Sequence, residues 1–118
     1  MKTHRDLDVW RLAMELAADV YRLTEDLPKH ERYGLKSQMC RAVVSIPSNI
    51  AEGAARQTKK EFIQFLYCSL GSSSELETQL ELCIFLEYFT KERLAEIFEK
   101  QSRVSQMLIG LIRSMKRK

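Results

Sequence analysis

Between Asp8 and Pro28 the chain reads DVWRLAMELAADVYRLTEDLP. Val9, Ala13, Leu16, Val20, Leu23 and Leu27 step by four, three, four, three and four residues, the heptad spacing of a helix with one continuous apolar seam. A second apolar row, Trp10, Met14, Ala17 and Tyr21, lies beside the first. The apolar arc therefore covers more than half of the helix, leaving Arg11, Glu15, Asp19, Arg22 and Asp26 as its polar remainder. A helix in a lone bundle needs one stripe, so the wide arc predicts a second packing surface. Asp8 is the expected N-cap. Leu27-Pro28 ends the helix, because a residue before proline avoids the α region. These signals place the first helix at about 8–26.

The same logic continues outward. A polar loop, residues 29–33, leads to a second helix at about 34–55, with a seam of Leu35, Met39, Ala42, Val43, Ile46, Asn49, Ile50 and Gly53. Pro47 falls inside it and cannot donate to the Val43 carbonyl, so a kink is expected. A break with a new helix starting at Pro47 is the alternative; the apolar phase running on through the proline favours one kinked helix. Thr58 and Glu61 form a capping box for a third helix at about 59–88. Its seam runs from Phe62 to Ile84, with Glu77 and Glu87 near it and the small residues Gly71, Ser72, Ser73 and Ser74 in the middle. Thr90 caps a fourth helix at about 91–115, with Leu94, Ile97, Phe98, Gln101, Val104, Leu108, Ile112 and Met115 inward. Short connections make neighbours antiparallel, so residues 1–118 read as one all-α domain, an up-down-up-down four-helix bundle with a kinked second helix.

Composition agrees. In 118 residues there are four Gly and two Pro, too few breakers for the turns of a β-sandwich or barrel. No apolar run approaches the ~18 residues of a membrane span, and residues 1–8 have no apolar signal-peptide core. Cys40, Cys68 and Cys83 are widely spaced, which fits thiols acting as small hydrophobes in a reducing cytoplasm.

Few residues suggest chemistry. The two histidines, His4 and His30, fall at a terminus and in a loop, and neither CxxC nor Glu-x-x-His occurs. Glu52, Glu75 and Glu77 have no acid or electrophile beside them. No enzyme, metal or cofactor is expected. Counted from the turn at Thr58, Arg41 lies at the depth of Glu75 and Glu77, so a pair with one of them is expected; Asn49 is expected to be buried and hydrogen-bonded.

Charge is segregated along the chain. Residues 33–60 carry +4, residues 61–99 carry −6 and residues 100–118 carry +6. Arg113, Lys116, Arg117 and Lys118 have no acidic residue after Glu99 to neutralise them. Cations at a helix C-terminus favour the helix by ~0.3–1 kcal/mol each, which accounts for them structurally. A polyanion-binding role is the sharper reading, with Lys59 and Lys60 as second candidates because their turn lies at the same end of the bundle. Phe62, Phe65, Phe85, Phe89 and Phe98 read as helix packing rather than as stacking platforms.

The string Ser45-Ile46-Pro47-Ser48-Asn49-Ile50-Ala51-Glu52-Gly53 resembles the four-helix-bundle family of 23S ribosomal RNA intervening-sequence proteins. Asp8-Val9-Trp10, Gly34 to Gln38, Arg41-Ala42-Val43, Glu61-Phe62, Phe65-Leu66, Gly71-Ser72 and Glu75 to Leu80 carry it further, over roughly residues 6–112. Ser73 departs from the pattern, where a larger residue is expected. The resemblance implies a ring-like homopentamer, and relatives that are accessory proteins of retroelements, binding a reverse transcriptase and nucleic acid, RNA or DNA, through a basic surface. Two functions follow as expectations: a non-enzymatic oligomer that binds structured RNA, or a scaffold for a protein such as a reverse transcriptase.

Overall fold

A computed structural model describes residues 3–117; Lys118, one of the expected basic residues, lies outside the described residues. Four long helices account for the fold: α1, Asp8–Thr24; α2, Leu35–Ala54; α3, Lys59–Phe85; and α4, Lys91–Lys116. Short 3-10 turns at His4–Asp6 and Lys29–Glu31 precede α1 and α2. The α1 helix packs on α2 and α4, as does α3, with the backbones of the diagonal pairs farther apart.

Cross-helix contacts fix the direction of each neighbour. Ser69 donates to the Ile46 carbonyl at 2.7 Å, Ser72 to Ser45 at 3.0 Å, and the last turn of α2 meets Phe62 and Phe65 at the start of α3. Lys100 of α4 reaches Asp19 of α1 at 2.7 Å, while Arg93, earlier in α4, pairs with Asp26, just past the end of α1. Both sets run antiparallel. The antiparallel four-helix arrangement is the one that four amphipathic helices joined by short connections implied.

All six residues of the first seam are buried, as are Met39, Val43, Ile46, Ile50, Leu66, Leu76, Leu80, Leu94, Val104 and Leu108. At about 25 cal/mol per Å² of apolar surface, this interior is the main stabilising term. It holds a polar layer too. Gln101 Nε2 donates to Ser73 O at 3.2 Å and to Ser73 Oγ at 3.0 Å, and Ser73 Oγ meets Ser105 Oγ at 2.7 Å. Ser73 is thus a buried hydrogen-bonding residue, which explains why a larger side chain is absent there.

Several local expectations are corrected. Asp8 is the first helical residue rather than the N-cap; Leu7 holds the cap position, and the Asp8 carboxylate pairs with Arg11. The first helix ends at Thr24, whose hydroxyl donates to the Tyr21 carbonyl at 3.0 Å. The second helix runs unbroken through the buried Pro47, so the alternative of a break there is excluded. Thr58 Oγ1 accepts from the Glu61 N–H at 3.1 Å, but it also donates to Glu61 Oε1 at 2.8 Å in place of the return bond of a capping box. The third helix stops at Phe85, three residues early. Glu87 there adopts φ 61°, Tyr88 N–H reaches Cys83 O at 2.9 Å and Glu87 N–H reaches Ile84 O at 2.9 Å. This is a Schellman ending with Glu where Gly is usual. Glu77 and Glu87 are both exposed, on the outer surface rather than near the seam.

Candidate nucleic-acid interface

The α2–α3 turn and the C-terminus of α4 share one end of the bundle, because α2 and α4 run in the same direction. There the first turns of α3 and the last turn of α4 enclose a groove of about 470 Å³ lined by Lys59, Lys60, Ile63, Gln64, Tyr67, Met115 and Lys116. The sequence separates Lys60 from Lys116 widely; the antiparallel pairing of α3 and α4 brings them to one opening.

The chemistry of the lining is divided. Ile63 and Met115 are partly buried against the core and form an apolar floor. The three lysines are exposed, and no acidic side chain lines the groove. Lys116 Nζ donates to the Tyr67 hydroxyl at 2.7 Å and lies 5.0 Å from the ring centroid, so the phenol holds the ammonium at the opening. The start of α3 adds the positive end of its dipole, which favours an anion. Arg113 and Arg117 are exposed on the last turns of α4 and its cap but do not line the groove. Arg56, in the turn, stacks 4.8 Å above the Phe65 ring and meets Glu52 at 3.7 Å, which offsets part of its charge.

The remaining expected residues are dispersed. Trp10 is half-buried with its ring edge-on to His4, centroids 5.0 Å apart. Asn49 is half-buried and bonded within its own helix, Nδ2 donating to Ser45 O at 2.8 Å and Ser45 Oγ at 2.9 Å. It spans no interface itself; Ser45 passes the link on to Ser72 of α3. Arg41 and Glu75 flank one groove with Tyr33, Ser37 and Gln38, but neither Glu75 nor Glu77 forms an ion pair with Arg41. Equal depth along the bundle did not fix rotation about the helix axes, and all three side chains are exposed.

Two exposed aromatic residues stand out, the first of which departs from the packing expectation. Phe85 is 85% exposed, at the end of α3. Tyr67, 47% exposed, was missed as a site residue. Its signal was its spacing: seven residues after Lys60 it occupies the same face, outside the apolar seam.

At the opposite end, Tyr88 donates to Glu31 Oε2 at 2.7 Å, and Leu35 N–H donates to Glu31 Oε1 at 3.1 Å. The Tyr88 hydroxyl and this backbone N–H hold the Glu31 carboxyl below the usual carboxylate range, and the bond to Glu31 pushes the Tyr88 phenol up. His30 Nε2 lies 3.1 Å from the same hydroxyl. These groups staple the α1–α2 connection to the α3–α4 connection.

Residues 5–110 match the model of a protein family described as 23S rRNA-intervening sequence protein. The fold is similar to the crystal structure of a protein with unknown function from the S23 ribosomal protein family of Bacteroides thetaiotaomicron. The two are 29% identical, with a TM-score of 0.83 over 89% of this chain and 95% of that one. No curated protein matches the chain. Among the described residues, no helix is long and apolar enough to cross a membrane.

Proposed function

Because the chain belongs to the family of 23S rRNA-intervening sequence proteins, we propose that it is a non-enzymatic, self-associating bundle of the cytoplasm that binds structured RNA, or another nucleic acid, through phosphates. The observation that carries this reading is the convergence of Lys59, Lys60 and Lys116 on one groove without an acidic lining residue. Lysines so placed displace counterions from a phosphate backbone, giving binding that weakens steeply with salt and reads little sequence.

Self-association has separate support. Part of the second apolar row of α1 stays wet in the single chain: Met14 and Tyr21 are each about half exposed, whereas Trp10 and Ala17 pack partly against the core, and Val44 of α2 is exposed as well. Covering these side chains in a homopentamer removes an apolar cost and repeats the basic groove around a ring. The exposed Phe85, with Leu82 and Leu86, favours a second reading, a scaffold that also engages a protein such as a reverse transcriptase.

Filter binding of a structured RNA over a salt series tests the first reading, with light scattering on the same samples. The variant Lys59→Gln/Lys60→Gln/Lys116→Gln should keep the oligomer size of the parent. Its slope of log affinity against log salt should flatten by roughly 0.7–0.9 for each phosphate that is no longer neutralised. The tail variant, with Arg113, Lys116, Arg117 and Lys118 all changed to Gln, should flatten it too. Identical slopes for parent and variants overturn the phosphate role, retention only by a protein partner favours the scaffold, and a monomer at micromolar concentration removes the assembly.

A further inference from the structure

Three features of the basic groove exceed what phosphate binding requires. Its floor is apolar, its size is that of a small-ligand cleft of ~300–1,000 Å³, and it presents an aromatic ring that the core does not bury. A duplex offers a protein mainly phosphates and groove edges, and has no use for an apolar floor beneath a lysine rim. An unpaired nucleotide offers both an anionic backbone and an apolar base face. Proteins that take single strands combine a basic groove with aromatic side chains on which bases stack. Unpaired loops are also where RNA exposes bases to such rings.

We propose that this groove receives one unpaired nucleotide of a single-stranded RNA segment, its base on Tyr67, Ile63 and Met115 and its flanking phosphates on Lys59, Lys60 and Lys116. The proposal rests on the nucleic-acid reading above and names the form of RNA that the site takes. Tyr67 has two parts in it. Its ring supplies the stacking surface, and its hydroxyl, accepting from Lys116 at 2.7 Å, holds that ammonium beside the ring where a phosphate follows a stacked base. Gln64 lines the same groove and brings an amide that can both donate to and accept from a base edge. The other arginine and lysine clusters of the bundle differ. Arg93, Arg22 and Lys100 line a groove between α1 and α4 that also contains Asp19, Asp26 and Glu96, so their charge is already answered there.

The test is fluorescence anisotropy with a short labelled oligouridylate, which forms no stable duplex, and with the same strand annealed to oligoadenylate. Tyr67→Ala should weaken single-strand binding roughly 5- to 150-fold, the range for loss of one base–aromatic stack. Duplex affinity should fall no further in Tyr67→Ala than in Tyr67→Phe, because both variants lose the hydroxyl that holds Lys116 while every lysine remains in place. Tyr67→Phe should retain most of the single-strand affinity. Tyr67 is half exposed, and thermal melting of each variant confirms that the bundle is intact. If Tyr67→Ala binds the single strand like the parent while the triple lysine variant does not, the nucleotide site is overturned and the phosphate reading stands. Equal losses for single strand and duplex overturn the preference for an unpaired nucleotide. A parent protein that binds neither probe overturns both readings.

Discussion

Gly53 lies so close to Phe65 that a β-carbon added to it would sit 2.6 Å from the Phe65 β-carbon, with Phe62 Cδ1 2.9 Å away. The last turn of α2 and the first turns of α3 therefore touch backbone to side chain, and this contact sets the end of the bundle at which the basic groove opens. Gly71, on the outer face of α3, has nothing within 4 Å of the same added atom.

These two glycines predict opposite outcomes. Gly53→Leu should destabilise by about 1–3 kcal/mol through overpacking, and Gly53→Ala by less, because alanine recovers up to ~1 kcal/mol of helix propensity. Gly71→Ala meets no neighbour in the single chain and should stabilise by about 0.5–1 kcal/mol. Urea denaturation of the three variants measures this. An unchanged midpoint for Gly53→Leu contradicts the close approach.

Glu87 supplies a second case, at the end of α3. Its φ of 61° is a conformation that costs an ordinary residue about 1–2 kcal/mol and a glycine almost nothing. Glu87→Gly is expected to raise the unfolding free energy by about 0.5–1 kcal/mol, part of the relief being lost to the greater freedom of glycine when unfolded. Glu87→Ala should give no such gain. A fall in midpoint for the glycine variant, at constant slope, means that the glutamate side chain contributes more than its backbone costs.

The Glu31–Tyr88 staple predicts a pH window. Glu31 titrates below its ordinary value, chiefly through the Tyr88 hydroxyl, so its stabilisation is present above the unfolded pKa of ~4.3 and fades as pH falls through the lower folded value. Tyr88 titrates above its ordinary value because of Glu31, so its share is complete below ~10 and fades as pH rises through the higher folded value. The melting temperature of Tyr88→Phe should therefore fall below that of the parent by a steady margin between about pH 5 and 9, and the margin should shrink on both sides. A margin independent of pH across the whole range assigns the loss to packing alone.

Much of this protein was legible one helix at a time. The steps of four and three from Val9 to Leu27 named a face, and all six residues are buried. Thr58 and Thr90 announced helix starts that both cap, accepting from Glu61 and Arg93 N–H groups. These features depend on residues within one or two turns of each other, so hydrophobic period and hydrogen-bonding chemistry determine them locally. Even the meeting of the α2–α3 turn with the α4 C-terminus followed from four helices and short loops.

Tertiary structure decided what depends on how one helix is rotated and slid against another. Arg41 and Glu75 share a depth but not a bond, Gln79 is buried although it lies outside the seam, and Phe85 points to solvent although it is apolar. Asn49, in seam phase, bonds to its own helix. The juxtaposition of Tyr67 with Lys116, forty-nine residues apart, also belongs here. Sequence periodicity gives the direction of a helix's apolar face only to within an arc, whereas a hydrogen bond tolerates a few tenths of an ångström. The interlocking of side chains across all four helices supplies that missing precision, by selecting the register in which the buried volume is filled.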